Sequence, residues 1–529
     1  MGNGIIIRAT TSVIALLVAL IMTFFGWFRS TINKVFKYEE DTTSSYTETT
    51  TESESTTEAT TESSSSTTQR TTKSTTSRPI VTVTTTDPRT KYINEVRKTS
   101  FGGTHLESIE DCTVGSDGAY YCCGTVRSTD GDFADINLSS YGSPSGFIVR
   151  VNRNGSIGWV KVKGDANYKY YFTCCAGLSN GNIVAAGYRV KNNLSSGEEL
   201  VYQAFLTIYD KNGSVVKSKY FASLSNAFIN CVAATADGFV IGGATKSHEM
   251  DFAFVPSDYS QDYAFLMTLD NDGKIISSKA FGGTKGAAIN DVDADSSGNI
   301  FAGLLTVSTD GDFASFTELK GHRDSNTVIY KLDSALNVKW GRAFAEKVEV
   351  DLCHIAASSD GGCVVAGNVA EISGVPTGFM TDLSVYAGTN AVILKLSSSN
   401  GSTEWHYSIR GTGEKIIEDI CVAAGNYAVV GSSTTDNGDF HTNYGDKDGF
   451  TALLSSAGKM LAVMENGGSD IDKTTAAVYA NGYLKVFGNS MSKDEFFSGL
   501  NQYVAQADPD DEFPIKYDCF TAKYKITIS

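Results

Sequence analysis

A strand ending in glycine after small apolar residues recurs seven times in this chain. The copies are YYCCG at Gly124, IVAAG at Gly187, FVIGG at Gly243, NIFAG at Gly303, CVVAG at Gly367, YAVVG at Gly431 and LKVFG at Gly488. The intervals of 63, 56, 60, 64, 64 and 57 residues restrict the fold to a repeat architecture in which each copy is one supersecondary unit. Within a copy an alternating strand precedes the marked strand. A long polar loop follows it, then an apolar strand such as NTVIYKLD (326–333), a short turn, and a last strand such as VKWGRAF. Asn154-Gly155, Asn212-Gly213, Asp272-Gly273 and Asn400-Gly401 supply that turn, as hairpins requiring positive φ do. Four antiparallel strands per copy make a propeller blade. The fold expected is therefore all-β, a seven-bladed β-propeller of four-stranded antiparallel blades over residues 91–529.

The chain ends support the count. The seventh copy stops at its third strand, CFTAKYKITIS, and YINEVRKTSFGG (92–103) reads as a fourth strand. The N-terminal strand is expected to complete the last blade and so remove an exposed edge. Trp159, Trp340 and Trp405 share one register in their last strands, a pattern that predicts packing between neighbouring blades.

Residues 1–90 read differently. After a short tail (1–10), SVIALLVALIMTFFGWF lies within 11–28, without charge and just long enough for a transmembrane signal-anchor helix. A Ser/Thr-rich stalk (29–90) with few apolar side chains follows, a composition that does not bury a core. Arg29, Lys34 and Lys37 would by themselves hold the bulk of the protein in the cytoplasm, whereas the stalk argues for an extracellular propeller on a single-pass anchor. The alternative is a cleaved signal peptide and secretion. Residues 91–529 carry 35 Lys/Arg against 51 Asp/Glu, a balance that argues against nucleic acid as a partner.

In a meander blade the second-to-third loops and the blade-to-blade links share one face. Here those loops are long and variable: 125–145, 188–203, 244–262, 304–325, 368–389, 432–448 and 489–517. Variable loops on a rigid scaffold are where binding usually sits, so this face is the expected ligand surface. Its candidate residues are Asp130, Asp132, Tyr141, Asp310, Asp312, His322, Tyr386, Asp439 and Tyr444. TDGDF at 129–133 and 309–313, DNGDF at 436–440 and the remnant MDF at 250–252 open like calcium loops, with two carboxylates two residues apart. Asp130, Asp132, Asp310 and Asp312 are thus weak Ca2+ ligand candidates. The favoured reading is a structural turn with its Phe buried, and no cofactor is otherwise expected.

No sequence spacing marks a reaction. The six His are scattered, and a phosphate-cradling loop is absent. The ten Cys fall in or beside strands; Cys112, Cys175 and Cys231 each precede their glycine mark by 12 residues, as buried packing residues would. Disulfides remain open in an extracellular setting. Asn-x-Ser sequons at Asn154, Asn212 and Asn400 coincide with hairpin turns; those at Asn137 and Asn193 do not.

The combined pattern W-x-x-x-F-G-G-[ST], S-D-G-G-x-V-V-A-G, D-G-D-F and V-I-x-K-L-D resembles the bacterial surface and secreted β-propeller repeat proteins of the SBBP type. The resemblance implies a surface propeller and brings no catalytic residue with it. Three functions follow: a non-enzymatic binding or adhesion module for a glycan or protein, a carbohydrate-active hydrolase or lyase, or a structural or sensor ectodomain. The first is preferred, with a monomeric propeller and a membrane contact through residues 11–28.

Overall fold

The computed structural model describes residues 91–134, 144–192, 200–322, 324–372, 376, 378–500 and 517–527. They form seven four-stranded antiparallel sheets, the blades of a propeller. Blades 1 to 6 span 107–163, 168–220, 227–281, 287–344, 350–408 and 415–466. Blade 7 combines Asp472–Ala480, Tyr483–Ser490 and Asp518–Ile526 with the N-terminal strand Ile93–Phe101, which pairs antiparallel to Asp518–Ile526. The ring closes as the complementary chain ends predicted. The anchor 11–28, the stalk 29–90 and Tyr141 lie outside the described residues, and among those described no helix is long and apolar enough to cross a membrane.

Burial follows strand position. Third strands such as Asn326–Leu332 are buried along their whole length, because neighbouring blades cover both of their faces. The fourth strand Val215–Tyr220 is exposed or half-buried throughout.

The glycine marks have a close-contact cause. The innermost strands of blades 1, 2, 3, 4, 6 and 7 carry a β-bulge, at Glu110, Thr173, Asn230, Asn290, Glu418 and Thr475, and that of blade 5 shifts register between Asp351 and His354. Near the bulge the innermost strand's carbonyl presses on the second strand. A Cβ at Gly124 would lie 1.8 Å from the Ser108 carbonyl oxygen, and one at Gly431 1.9 Å from that of Ile416. Only glycine fits such an approach.

All seven blade junctions are bridged near the axis by a side chain bonded to the next blade's backbone. Asp111 Oδ2 accepts from the Cys175 amide, Asp291 Oδ2 from Ile355 and Asp419 Oδ2 from Ala477, each at 2.8 Å. Thr173 donates to the Ile229 carbonyl (2.7 Å), Asn230 to that of Ile289 (2.8 Å), and Thr327 to that of Val350 (3.0 Å). Asn368 and Asn489 each take both backbone groups of one residue, Ile417 and Ile109 respectively. The Asn489 pair closes blade 7 on blade 1.

On the outer rim the tryptophans do what their register predicts. Trp159, Trp340 and Trp405 donate Nε1–H to the carbonyls of Lys211, Ser398 and Ser456, each in the third-to-fourth turn of the following blade. Each ring lies over a positive-φ turn glycine. A Cβ on Gly213, Gly401 or Gly458 would come within 3.0, 2.8 and 2.5 Å of the respective indole. At the equivalent register Arg97 of blade 7 donates to the Asn154 carbonyl beside Gly155. Blade 3 has the small Ser277 there, and Leu336, only 2% exposed, replaces the turn glycine of blade 4.

All ten cysteines are free thiols, nine of them buried. Burial pushes several carboxyls up: Asp262 and Asp293 to about 6, Asp472 to about 7 and Glu107 to about 8. Unfolded carboxyls titrate near 4. These groups therefore favour the fold fully below pH ~4, and their contribution is lost as pH rises through about 6 to 8. Asp310 acts oppositely, because the Thr284 amide holds its carboxyl below the ordinary value, so its contribution is lost on acidification. Calorimetry at two pH values should find the unfolding midpoint lower at pH 8 than at pH 5, by about 5 °C. An equal or higher midpoint at pH 8 would refute the assignment.

Candidate functional site

The Asp-Gly-Asp-Phe motif is a latch between the long loop of a blade and the link entering that blade. In blade 1 the Gly102 amide donates to Asp132 Oδ2 (3.0 Å), while the Thr104 amide and hydroxyl donate to Asp130 (both 2.7 Å). Blade 4 repeats this with Gly282 on Asp312 (2.8 Å) and Thr284 on Asp310 (2.9 and 2.7 Å). In blade 3 Asp251 accepts from Ala222, and in blade 7 Asp494 from Ser469. The phenyl groups of Phe133, Phe252, Phe313, Phe440 and Phe497 are buried beneath. At the motif glycine a Cβ would strike the link: on Gly131, with φ 61°, it would lie 2.2 Å from the Gly102 carbonyl oxygen. Amides of the link thus occupy oxygens of Asp130, Asp132, Asp310 and Asp312. Among the described residues no group of three His, Cys, Asp or Glu is placed to hold a metal ion.

Blade 6 elaborates the latch. Asp439 is 6% exposed and accepts from the Arg410 amide (2.8 Å), the Arg410 guanidinium (2.8 and 2.5 Å) and the Tyr407 hydroxyl (2.9 Å). Nearby the His441 amide donates to Glu465 (2.8 Å) and the Tyr444 amide to Asp448 (2.6 Å). The loop is pinned by its backbone, and the Tyr444 side chain stands 43% exposed. These bonds join Asp439 to Arg410 and Tyr407 and pin His441 and Tyr444 by their own amides on the same loop; of these residues the sequence pointed to Asp439 and Tyr444. The other candidates sit on other blades. His322 Nδ1 lies against the Glu346 carbonyl, and Tyr386 is half-buried with its amide on Asn390 (2.8 Å).

The axis holds a second polar group, which motif reading did not reach. Glu110, Asp111, Asn230, Asp291, His354 and Asp419 line a cavity of about 50 Å³ with Glu418 and the threonines 173 and 475. Burial, and next the charge of Asp111, hold the Asp419 carboxyl well above its usual range. Such a space suits a few waters rather than a sugar ring. Its signal in the sequence was the recurring polar residue twelve to fourteen positions before each glycine mark, close to the spacing that drew attention to the cysteines instead.

The geometry defines a seven-bladed β-propeller with latched loops on one face. No family model and no curated protein matches the chain. Among solved structures, it is similar to Sqt1 from Chaetomium thermophilum at 12% identity and TM-score 0.39, covering 74% of this chain and 82% of that one. It is also similar to a quinohemoprotein alcohol dehydrogenase from Pseudomonas putida HK5 (9% identity, TM-score 0.37, 83% and 77% covered). The endosialidase of phage phi92 is a third neighbour (8%, TM-score 0.39, 82% and 69%). Likenesses this distant carry no argument about activity.

Proposed function

We propose that this propeller is a non-enzymatic binding or adhesion module. On this reading it is held outside the cell by the anchor 11–28 and the stalk 29–90, and takes a glycan or a protein on its long-loop face. The observation that carries the reading is the blade 6 loop, where Arg410, His441 and Tyr444 are presented on backbone already fixed by Asp439, Glu465 and Asp448. A surface ordered before binding loses little entropy on association, and exposed Tyr and Arg are the side chains that most often anchor interfaces. The small axial cavity weighs against the hydrolase alternative, since a sugar has no room there. The resemblance to bacterial surface propellers agrees with the proposal.

The test is an array of glycans and extracellular matrix proteins probed with the full-length chain. Binding is expected, and Tyr444→Ala, which keeps the amide that bonds Asp448, should weaken it at least tenfold at an unchanged melting temperature. Absence of any binding by the folded protein, or glycan cleavage that persists in that variant, would sink it.

A further inference from the structure

Blade 7 carries three cations side by side across one face of its sheet. Lys485 on the second strand is paired with Lys523 on the third, and Lys523 with Arg97 on the closing strand. Residues opposite each other on neighbouring strands share a face, and like charges placed so are destabilising. The row runs outward from Lys485, only 1% exposed, through half-buried Lys523 to exposed Arg97. It faces blade 1, where Lys523 donates to the Arg153 carbonyl at 3.3 Å and Arg97 to that of Asn154. The exposed Arg153 side chain adds a fourth positive charge to this turn.

Blades 1, 4 and 5 also place a cation at the register of Lys523, and each satisfies it internally. Arg150 meets Asp117 and Lys395 meets Asp360, both at 2.8 Å, each carboxylate coming from the first-to-second turn of the same blade. Lys331 of blade 4 donates to two carbonyls of blade 5, those of Gly361 and Ser398. In blade 7 the first-to-second turn is shortened to Asn481-Gly482 and brings no carboxylate. Among the described residues, none of Lys485, Lys523, Arg97 and Arg153 has an acidic group within ion-pair distance. The Lys485 ammonium meets the Phe487 ring, at 5.9 Å, and no hydrogen-bond acceptor among them.

We propose that this row is a binding site for an oxyanion, a sulfate or phosphate group held by Lys523, Arg97 and Arg153 above the buried Lys485. Guanidinium and ammonium groups are the donors that take such oxyanions. A buried charge is costly unless it is paired, so a bound anion relieves what the chain itself leaves unpaired. The field is positive here in a domain with 51 acidic against 35 basic groups, which steers anions to this one place. Burial, and next the charges of Lys523 and Arg97, push the Lys485 amine down to about 7. Besides these two cations it faces Cys112 and Cys122 of blade 1, whose thiols burial keeps protonated. Anion binding therefore draws a proton onto Lys485. The site lies at the short-turn end of the rim, opposite the long loops, and stands independently of the function proposed above.

The test is a calorimetric titration of the full-length chain with sodium sulfate, against sodium chloride at matched ionic strength. Sulfate should bind saturably and chloride should not. Sulfate keeps its charge between pH 6 and pH 8.5, so a several-fold loss of affinity over that range reports the proton leaving Lys485. Lys485→Met, which keeps the buried bulk, should weaken sulfate at least tenfold and raise the melting temperature in its absence. Lys523→Gln should weaken sulfate several-fold and serves if the first variant misfolds. Glucose 6-sulfate separates two sources of the anion: an affinity above that of free sulfate assigns the site to a sulfated glycan, an equal or lower one to the free ion. A response to sulfate no larger than that to chloride, or undiminished sulfate binding by either folded variant, would overturn the proposal.

Discussion

A chain that begins at Gly102, and so lacks the strand Ile93–Phe101, is expected to lose its single cooperative unfolding transition and to aggregate. That strand supplies the fourth strand of blade 7. It buries Ile93 and Phe101, at 0% and 1% exposure, each contributing about 1.5–3 kcal/mol. Its removal also bares the Asp518–Ile526 edge, an unpaired row of backbone groups that invites another chain. Against a total stability of about 5–15 kcal/mol such a loss is most of the margin. Adding a synthetic peptide of residues 91–101 should restore a sharp transition in denaturant. If the shortened chain melts as the full one does, the ring does not depend on this closure.

Replacing Trp340 by alanine should cost about 3 kcal/mol, near the lower end for burying and then deleting so large a ring. Trp340 is 8% exposed, packs against Phe301 of its own blade and donates to the Ser398 carbonyl of the next at 3.2 Å. Trp340→Phe keeps most of the apolar contact and should lose about 1 kcal/mol with the hydrogen bond. Urea unfolding of both variants separates the two contributions. A loss below about 0.5 kcal/mol for the alanine variant, the size of an ordinary surface change, would mean that the rim indoles do not hold blades together.

The candidate site was legible in its face and in two of its side chains. Asp439 and Tyr444 lie on the long-loop crest that the strand order assigned. Arg410 and His441 were not legible, because Arg410 is brought to Asp439 from 29 positions away, on the link that enters the blade. The Asp-x-Asp pairs were ambiguous for the same reason. Whether two carboxylates turn toward a cation or toward amides is decided by the link 26 to 30 residues earlier, and here the amides of Gly102 and Thr104 take them.

The sequence by itself determined the blade number, the strand order and the closing strand. Each of these is repeated or local: a close approach that only glycine tolerates recurs once per blade, hairpin turns are written in neighbouring residues, and the two chain ends complete one blade. Tertiary structure alone decided what crosses between blades. The Asn489 bridge to Ile109 spans 380 positions, and the indole-over-glycine seats join residues 51 to 58 apart through their turn carbonyls. No local pattern encodes such pairings, because they depend on the stacking of whole sheets around an axis.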